Sequence, residues 1–214
     1  MLDLPKSTEF GKRIPKQKFY ENLSVTAQIK RIIREQINLI TWQYKIAPTT
    51  INISEGESVK EIEVIAIRLN QRELDKRMLP LIDKEIPYHL LFLIEYGGEV
   101  QAWIRYKEQA KYSAFKPGTY YHTDWLQHDA LNLRIEGLDL DKVYENLIRQ
   151  IAGERLGGDS DDSIKDAINR DEQRRKLTKE IAALDKKIKN EKQFNRQVEL
   201  NSELKQLKKE LEGI

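Results

Sequence analysis

At 214 residues and without a single cysteine, the chain suits one ordinary domain plus an appendage, and disulfides, thiolate metal sites and a cysteine nucleophile are excluded. Its formal net charge of +2 selects neither nucleic acid nor membrane as a partner, and 34% charged residues require part of the chain to be mostly surface. The opening MLDLPKSTEFGKRIPK lacks the apolar core of a signal peptide and no run of about 18 apolar residues follows, which predicts a soluble, cytoplasmic protein with no membrane partner.

In chain order, SVTAQIKRIIREQI places Val25, Ile29, Ile32 and Ile33 on one helical face, with Ser24 as the expected N-cap. The period then changes to two: Ile40, Trp42, Tyr44 and Ile46 alternate with polar residues, as in a strand with one buried face. EIEVIAIRL (61–69) and HLLFLIEY (89–96) are apolar and rich in strand formers, the second nearly throughout, as expected for a strand covered on both faces. Between them RELDKRMLPLIDKEIP (72–87) carries Leu74, Met78, Leu79 and Ile82 at helical spacing, with Pro80 disturbing its first half and Pro87 ending it.

Gly97-Gly98 separates HLLFLIEY from EVQAWIRYK by two residues, the signature of a tight hairpin. TYYHTDWL and ALNLRIEG read as two shorter strands. DLDKVYENLIRQIAG then supplies a helix whose face is Leu140, Val143, Tyr144, Leu147, Ile148 and Ile151, capped by Gly153. The expected fold is α+β, a mixed or largely antiparallel sheet with flanking helices over residues 1–153. A glycine-rich, acidic linker over 154–163 leads to a helical tail over 164–214.

In the tail, Leu177, Ile181, Leu184 and Ile188 form one heptad seam and Leu200, Leu204, Leu207, Leu211 and Ile214 another, out of phase with it. Between them lies NEKQFNRQVELN, with neither Gly nor Pro. The slip fits a stutter, a bend or the tip of a helical hairpin. The expectation adopted is a continuous or bent helix meeting another chain, a second copy included. A hairpin, or a seam lying back on the globular domain, is the alternative.

FGKRIPKQKFYENL, ITWQYKIAPTTINI, EIEVIAIRL, IDKEIPYHLLFLI and EKQFNRQVELN resemble, in order and over nearly the whole chain, the blocks of an uncharacterised bacterial family, a domain of unknown function of about this length. The resemblance implies genes beside those of helicases and DNA methyltransferases in restriction-like or phage-defence clusters, with no established catalytic residues. It also makes the interrupted stretch a specified feature. Phe194, Asn195, Val198, Asn201, Leu204 and Leu207 are accordingly the expected partner-binding residues.

Chemistry in the residues themselves is sparse. A metal-dependent nuclease needs clustered carboxylates and a lysine near the attacked phosphate, for which Glu61, Glu63, Asp83 and Lys45 are the candidates, although no strand holds a carboxylate-x-lysine pattern. His122, Asp124, His128 and Asp129 are zinc-binding types, but their spacing matches no motif with a mechanistic basis; they read as surface loop residues beside a buried Trp125, and no metal is expected. No phosphate loop, G-x-S-x-G or other cofactor motif occurs. Two segments are basic: Lys12, Arg13, Lys16 and Lys18, then Arg105, Lys107, Lys111 and Lys116 interleaved with aromatics such as Tyr112 and Phe115, a composition suited to phosphates and unpaired bases. The function expected is a non-catalytic accessory or adaptor protein of a bacterial DNA-processing or phage-defence complex. Its globular domain contacts nucleic acid or a helicase or DNA-methyltransferase partner, and its tail mediates assembly. A metal-dependent nuclease is the alternative.

Overall fold

A computed structural model describes residues 4–18, 26–107, 118–157 and 162–214. It divides the chain into two compact units, 1–152 and 153–214. The first is α+β: β1 (Glu9–Arg13), α1 (Ala27–Gln36), β2 (Ile37–Ile46), β3 (Ile62–Leu69), α2 (Met78–Glu85), β4 (His89–Tyr96), β5 (Glu99–Arg105), β6 (Tyr120–His122), β7 (Leu126–Gln127) and α3 (Leu140–Ala152). The sheet runs in the order β1-β2-β3-β4-β5-β6, with β7 also pairing β5. Every pair is antiparallel except β3 and β4, which are parallel and joined through α2. A parallel pair cannot be closed by a tight turn, which is why a helix intervenes there and nowhere else along β2 to β5.

Alternation assigns the two faces. Ile65 and Ile67 of β3, Leu90, Phe92 and Ile94 of β4 and Trp103 of β5 share one core cluster with Ile29 and Ile33 of α1 and Met78, Leu79 and Ile82 of α2. On the opposite face, α3 packs against β5 and β6. Because β3 and β4 are covered on both sides, β3 is buried from Ile62 to Ile67 and β4 from His89 to Ile94, and each reads as an apolar run. The predicted hairpin is present, with Gly97 at φ 58° and Gly98 at φ 87°, a two-residue turn in which a side chain would strain the backbone.

Four expectations are corrected. Thr26 is the N-cap of α1, accepting from the Ile29 N–H at 3.4 Å, while Ser24 and Val25 lie outside the described residues. The helix expected over 72–87 starts at Met78, because Asp75 captures the Arg77 N–H at 3.0 Å and its guanidinium at 2.6 Å in a local turn. Pro80 then falls in the first helical turn, where its missing N–H costs nothing. ALNLRIEG (130–137) joins no strand. Its Leu131 and Leu133 are buried by alternation, and α3 supplies its hydrogen bonds: Gln150 holds both the N–H and the carbonyl of Arg134, at 2.9 and 3.0 Å.

The fourth concerns the second unit. A short 3-10 turn (Gly153–Leu156) precedes α4 (Ile164–Asn190) and α5 (Phe194–Glu212). The tail is a helical hairpin and not one continuous helix. Leu184 packs on Leu200 and Leu204, flanked by Ile181, Ile188 and Leu207, so the two seams meet within the chain. The polar interruption builds the turn. Glu191 accepts from the N–H groups of Lys192 and Gln193 at 2.8 and 3.0 Å, and Gln197 donates to the Glu191 carbonyl at 2.7 Å. Those backbone donors hold the Glu191 carboxyl below the usual glutamate range. Side chains therefore replace the glycine that usually closes a helix.

Candidate functional site

The ends of β2 and β5 and the starts of β3 and β4 meet at one end of the sheet, and the buried ionisable side chains of the first unit gather there. Glu63 continues the buried face that Ile65 and Ile67 begin, so an acid occupies an interior position and is 1% exposed. Trp42, on the neighbouring β2, donates its indole N–H to Glu63 Oε2 at 2.5 Å. Glu63 Oε1 meets no donor among the described residues; the adjoining group is the carboxyl of Glu61. Burial first, and then Glu61, pushes the Glu63 carboxyl up to about 8, so it keeps its proton at neutral pH. Glu61 in turn pairs with Lys45 at 2.7 Å, which raises the lysine above its ordinary value.

Glu63 forms part of the wall of a cleft of about 310 Å³ whose other walls include Ile14, Trp42, Ile65, Ile86 and Pro87. Glu85, Tyr88 and Lys18 add polar groups to it. The sequence signal for this site was the pair of acids at positions 61 and 63 in an otherwise apolar strand. Trp42 carried no such signal, because an aromatic residue in a strand reads as core.

Asp83 takes no part in that cluster. It is 2% exposed on α2 and pairs with Arg105 and, at 2.6 Å, with Lys107; Tyr120 donates to it at 3.1 Å. Lys107 also donates to the Tyr88 carbonyl at 2.5 Å, and burial lowers its pKa despite the acid beside it. Burial also raises the Tyr120 hydroxyl well above the ordinary tyrosine value. The carboxylates and lysine of the nuclease reading thus fall into two groups at that end of the sheet: Lys45, Glu61 and Glu63 together, and Asp83 held separately by Arg105 and Lys107. Close by, His89 is buried edge-on against Tyr144, 4.6 Å between ring centres, and burial followed by the Lys107 charge brings its pKa down to about 3.

The basic segments are divided as well. Arg105 and Lys107 are spent on Asp83, with side chains 12% and 1% exposed, and neither faces solvent as a phosphate contact would. Lys16 donates to the Ile37 carbonyl. Lys12, Arg13 and Lys18 are exposed, Lys12 lying over the Phe10 ring at 4.4 Å. Lys111, Tyr112, Phe115 and Lys116 lie outside the described residues. His122 stacks on Trp103 at 4.1 Å, whereas His128 sits 3.6 Å from Glu95. Among the described residues, no three His, Asp or Glu side chains gather as a metal site would require.

In the second unit, Leu204 and Leu207 belong to the hairpin seam, the first buried and the second half-buried. Asn195 and Asn201 are exposed, Asn201 donating to the Gln197 carbonyl at 2.8 Å. Phe194 and Val198, one turn apart on α5, are 75% and 54% exposed beside the hairpin turn. No helix of the described residues is long and apolar enough to cross a membrane.

No curated protein and no solved structure matches this chain. The model of the domain of unknown function DUF4391 matches residues 2–211, and the chain belongs to that family.

Proposed function

We propose that the protein is a non-catalytic accessory component of a bacterial DNA-processing or phage-defence complex, in which the hairpin joins the α+β unit to a helicase or DNA methyltransferase. The observation that carries this reading is the pair Phe194 and Val198: large apolar side chains at i and i+4, left in solvent by a hairpin that buries Leu184, Leu200 and Leu204. Lys12, Arg13 and Lys18 provide the exposed charge with which the first unit would meet phosphates. Affinity capture of the full chain from its bacterial host, read by mass spectrometry, tests it. The native chain is expected to recover a helicase or methyltransferase, and a Phe194→Ser, Val198→Ser variant of unchanged helicity is expected to lose it. Recovery of the same partner by both, or of neither enzyme by the native chain, overturns the proposal.

The convergence of Lys45, Glu61 and Glu63 at one sheet end favours a second reading, a metal-dependent nuclease. Against it, Glu61 is committed to Lys45, Glu63 to Trp42, and Asp83 to Arg105 and Lys107. Magnesium-dependent cleavage of DNA by the purified chain, lost in both Glu61→Ala and Glu63→Ala, would put this reading first.

A further inference from the structure

The cleft at the sheet end combines apolar walls with one buried acid. Glu63 is almost wholly removed from water, yet it lines the cleft, and its Oε1 has no donor among the described residues. A strand position between Glu61 and Ile65 would be filled more stably by an apolar residue, since a buried carboxyl without a full set of partners destabilises the fold. The Trp42 indole N–H fixes one oxygen and leaves the other without a donor among the described residues. A buried carboxyl set beside a second one leaves room for one positive charge from an occupant, and the Glu63 proton fills that role when nothing else does.

We propose that this cleft binds a small free organic cation, an alkylammonium or alkylguanidinium with a short apolar stem, whose charged head pairs with Glu63 and whose stem lies against Ile14, Ile65, Ile86 and Pro87. The Trp42 indole is a fitting wall for such a head, since cations are attracted to its ring face. The available space, about 310 Å³, accommodates a ligand of that size and excludes a folded element. The charged or titratable groups around Glu63 are Glu61 and Lys45 along the strands, Glu85 at the end of α2, Tyr88 after it, and Lys18 at the wall formed after β1. Glu85 adds to the attraction and Lys18 opposes it. Binding displaces the Glu63 proton, so one proton leaves as the cation enters.

Titration calorimetry of the full chain with n-butylguanidinium, beside its uncharged counterpart n-butylurea, tests this. A saturable site of millimolar affinity or better is expected for the cation and not for the urea. Affinity should tighten by about tenfold between about pH 6 and pH 7 and level off above about pH 8, as the carboxyl loses its proton unaided. Repeating the titration in buffers of different ionisation heat should show close to one proton released at about pH 7. Glu63→Gln imitates the protonated acid in shape and is expected to fold, to weaken binding at least tenfold at about pH 8, and to remove the pH dependence. Equal binding of butylurea, an unaffected Glu63→Gln variant, or no saturable binding of the cation overturns the proposal. So does tighter binding of Nα-acetylarginine N-methylamide than of butylguanidinium, which would assign the cleft to an arginine carried by a protein.

Discussion

Lys107 Nζ lies 2.6 Å from Asp83 Oδ1, and both side chains are 1% exposed. With Arg105 on the other oxygen and the Tyr120 hydroxyl at 3.1 Å, a single carboxylate on α2 is shared by two cations, Arg105 at the end of β5 and Lys107 just beyond it. Removing the carboxylate strands two cations in the interior, whereas replacing a pair by apolar residues of similar size is far less harmful. Asp83→Ala is therefore expected to cost about 3–5 kcal/mol in urea denaturation. Asp83→Leu combined with Lys107→Met should recover most of that loss, Arg105 being able to turn its head toward water. Equal loss in the single and double variants would mean that packing, and not charge, holds α2 there.

Glu63 and His89 impose opposite pH dependences on stability. The Glu63 pKa is raised in the fold, so its contribution is fully present below the unfolded value of 4.5 and is lost as pH rises through about 8. The His89 pKa is depressed, so its contribution is present above the unfolded value of 6.5 and is lost as pH falls toward about 3. Between about 4.5 and 6.5 the two slopes cancel. These groups should give a plateau there, with stability falling on either side. Glu63→Gln should remove the decline between about pH 6.5 and 8, amounting to a few kcal/mol, and His89→Phe the decline between about 4.5 and 3. Midpoints of urea unfolding across that range decide both. A Glu63→Gln profile parallel to the native one would refute the assignment.

The centre of the sheet was legible because β3 and β4, covered on two faces, read as apolar runs; Ile65, Ile67, Phe92 and Ile94 fall in one core cluster at the spacing of two that a strand requires. The Gly97-Gly98 turn was legible because its backbone demands those residues. What escaped reading depends on partners distant in the chain. Nothing near Asp83 announces Lys107, and nothing near Glu63 announces Trp42. The same holds for 130–137, whose alternation is that of a strand although its hydrogen bonds come from Gln150 and Asn146. In the tail, the two heptad phases were visible, but a turn made by Glu191 and Gln197 side chains leaves none of the glycine or proline marks that sequence reasoning uses.

Asp141, in the first turn of α3, holds the loop before β3 by accepting from the N–H groups of Glu57 and Val59, both at 2.7 Å, and of Ser58 at 3.2 Å. The approach is so close that a Cβ on Gly56 would stand 2.3 Å from Asp141 Oδ1 and 2.7 Å from its backbone nitrogen. The carboxylate could move, but the nitrogen belongs to the helix. Asp141→Ala and Gly56→Ala are each expected to destabilise the first unit by about 1–3 kcal/mol, the first through unpaired N–H groups and the second through overpacking. Because both act on one contact, the double variant should lose less than the two losses added. Additive losses by thermal or urea unfolding would show that the two residues act separately.

The hairpin offers the sharpest separation of packing from recognition. Leu200 is 2% exposed against Leu184, while Phe194, six residues earlier on the same helix, is 75% exposed. Most helical stability in a protein comes from packing an amphipathic face, so the seam decides whether the two helices persist. Leu200→Ala should cost about 2 kcal/mol or more, toward the low end for a buried leucine because a two-helix seam can partly collapse. In amide hydrogen exchange this appears as opening of α4 and α5 that is faster by about 30-fold, with β3 and β4 unchanged, since units can open independently. Phe194→Ser and Val198→Ser should leave the same exchange rates within about twofold, because neither side chain contributes to the seam. If instead Leu200→Ala left the hairpin's exchange untouched while Phe194→Ser accelerated it, the buried and exposed faces would be reversed, and the apolar pair proposed for partner binding would be holding the hairpin itself together.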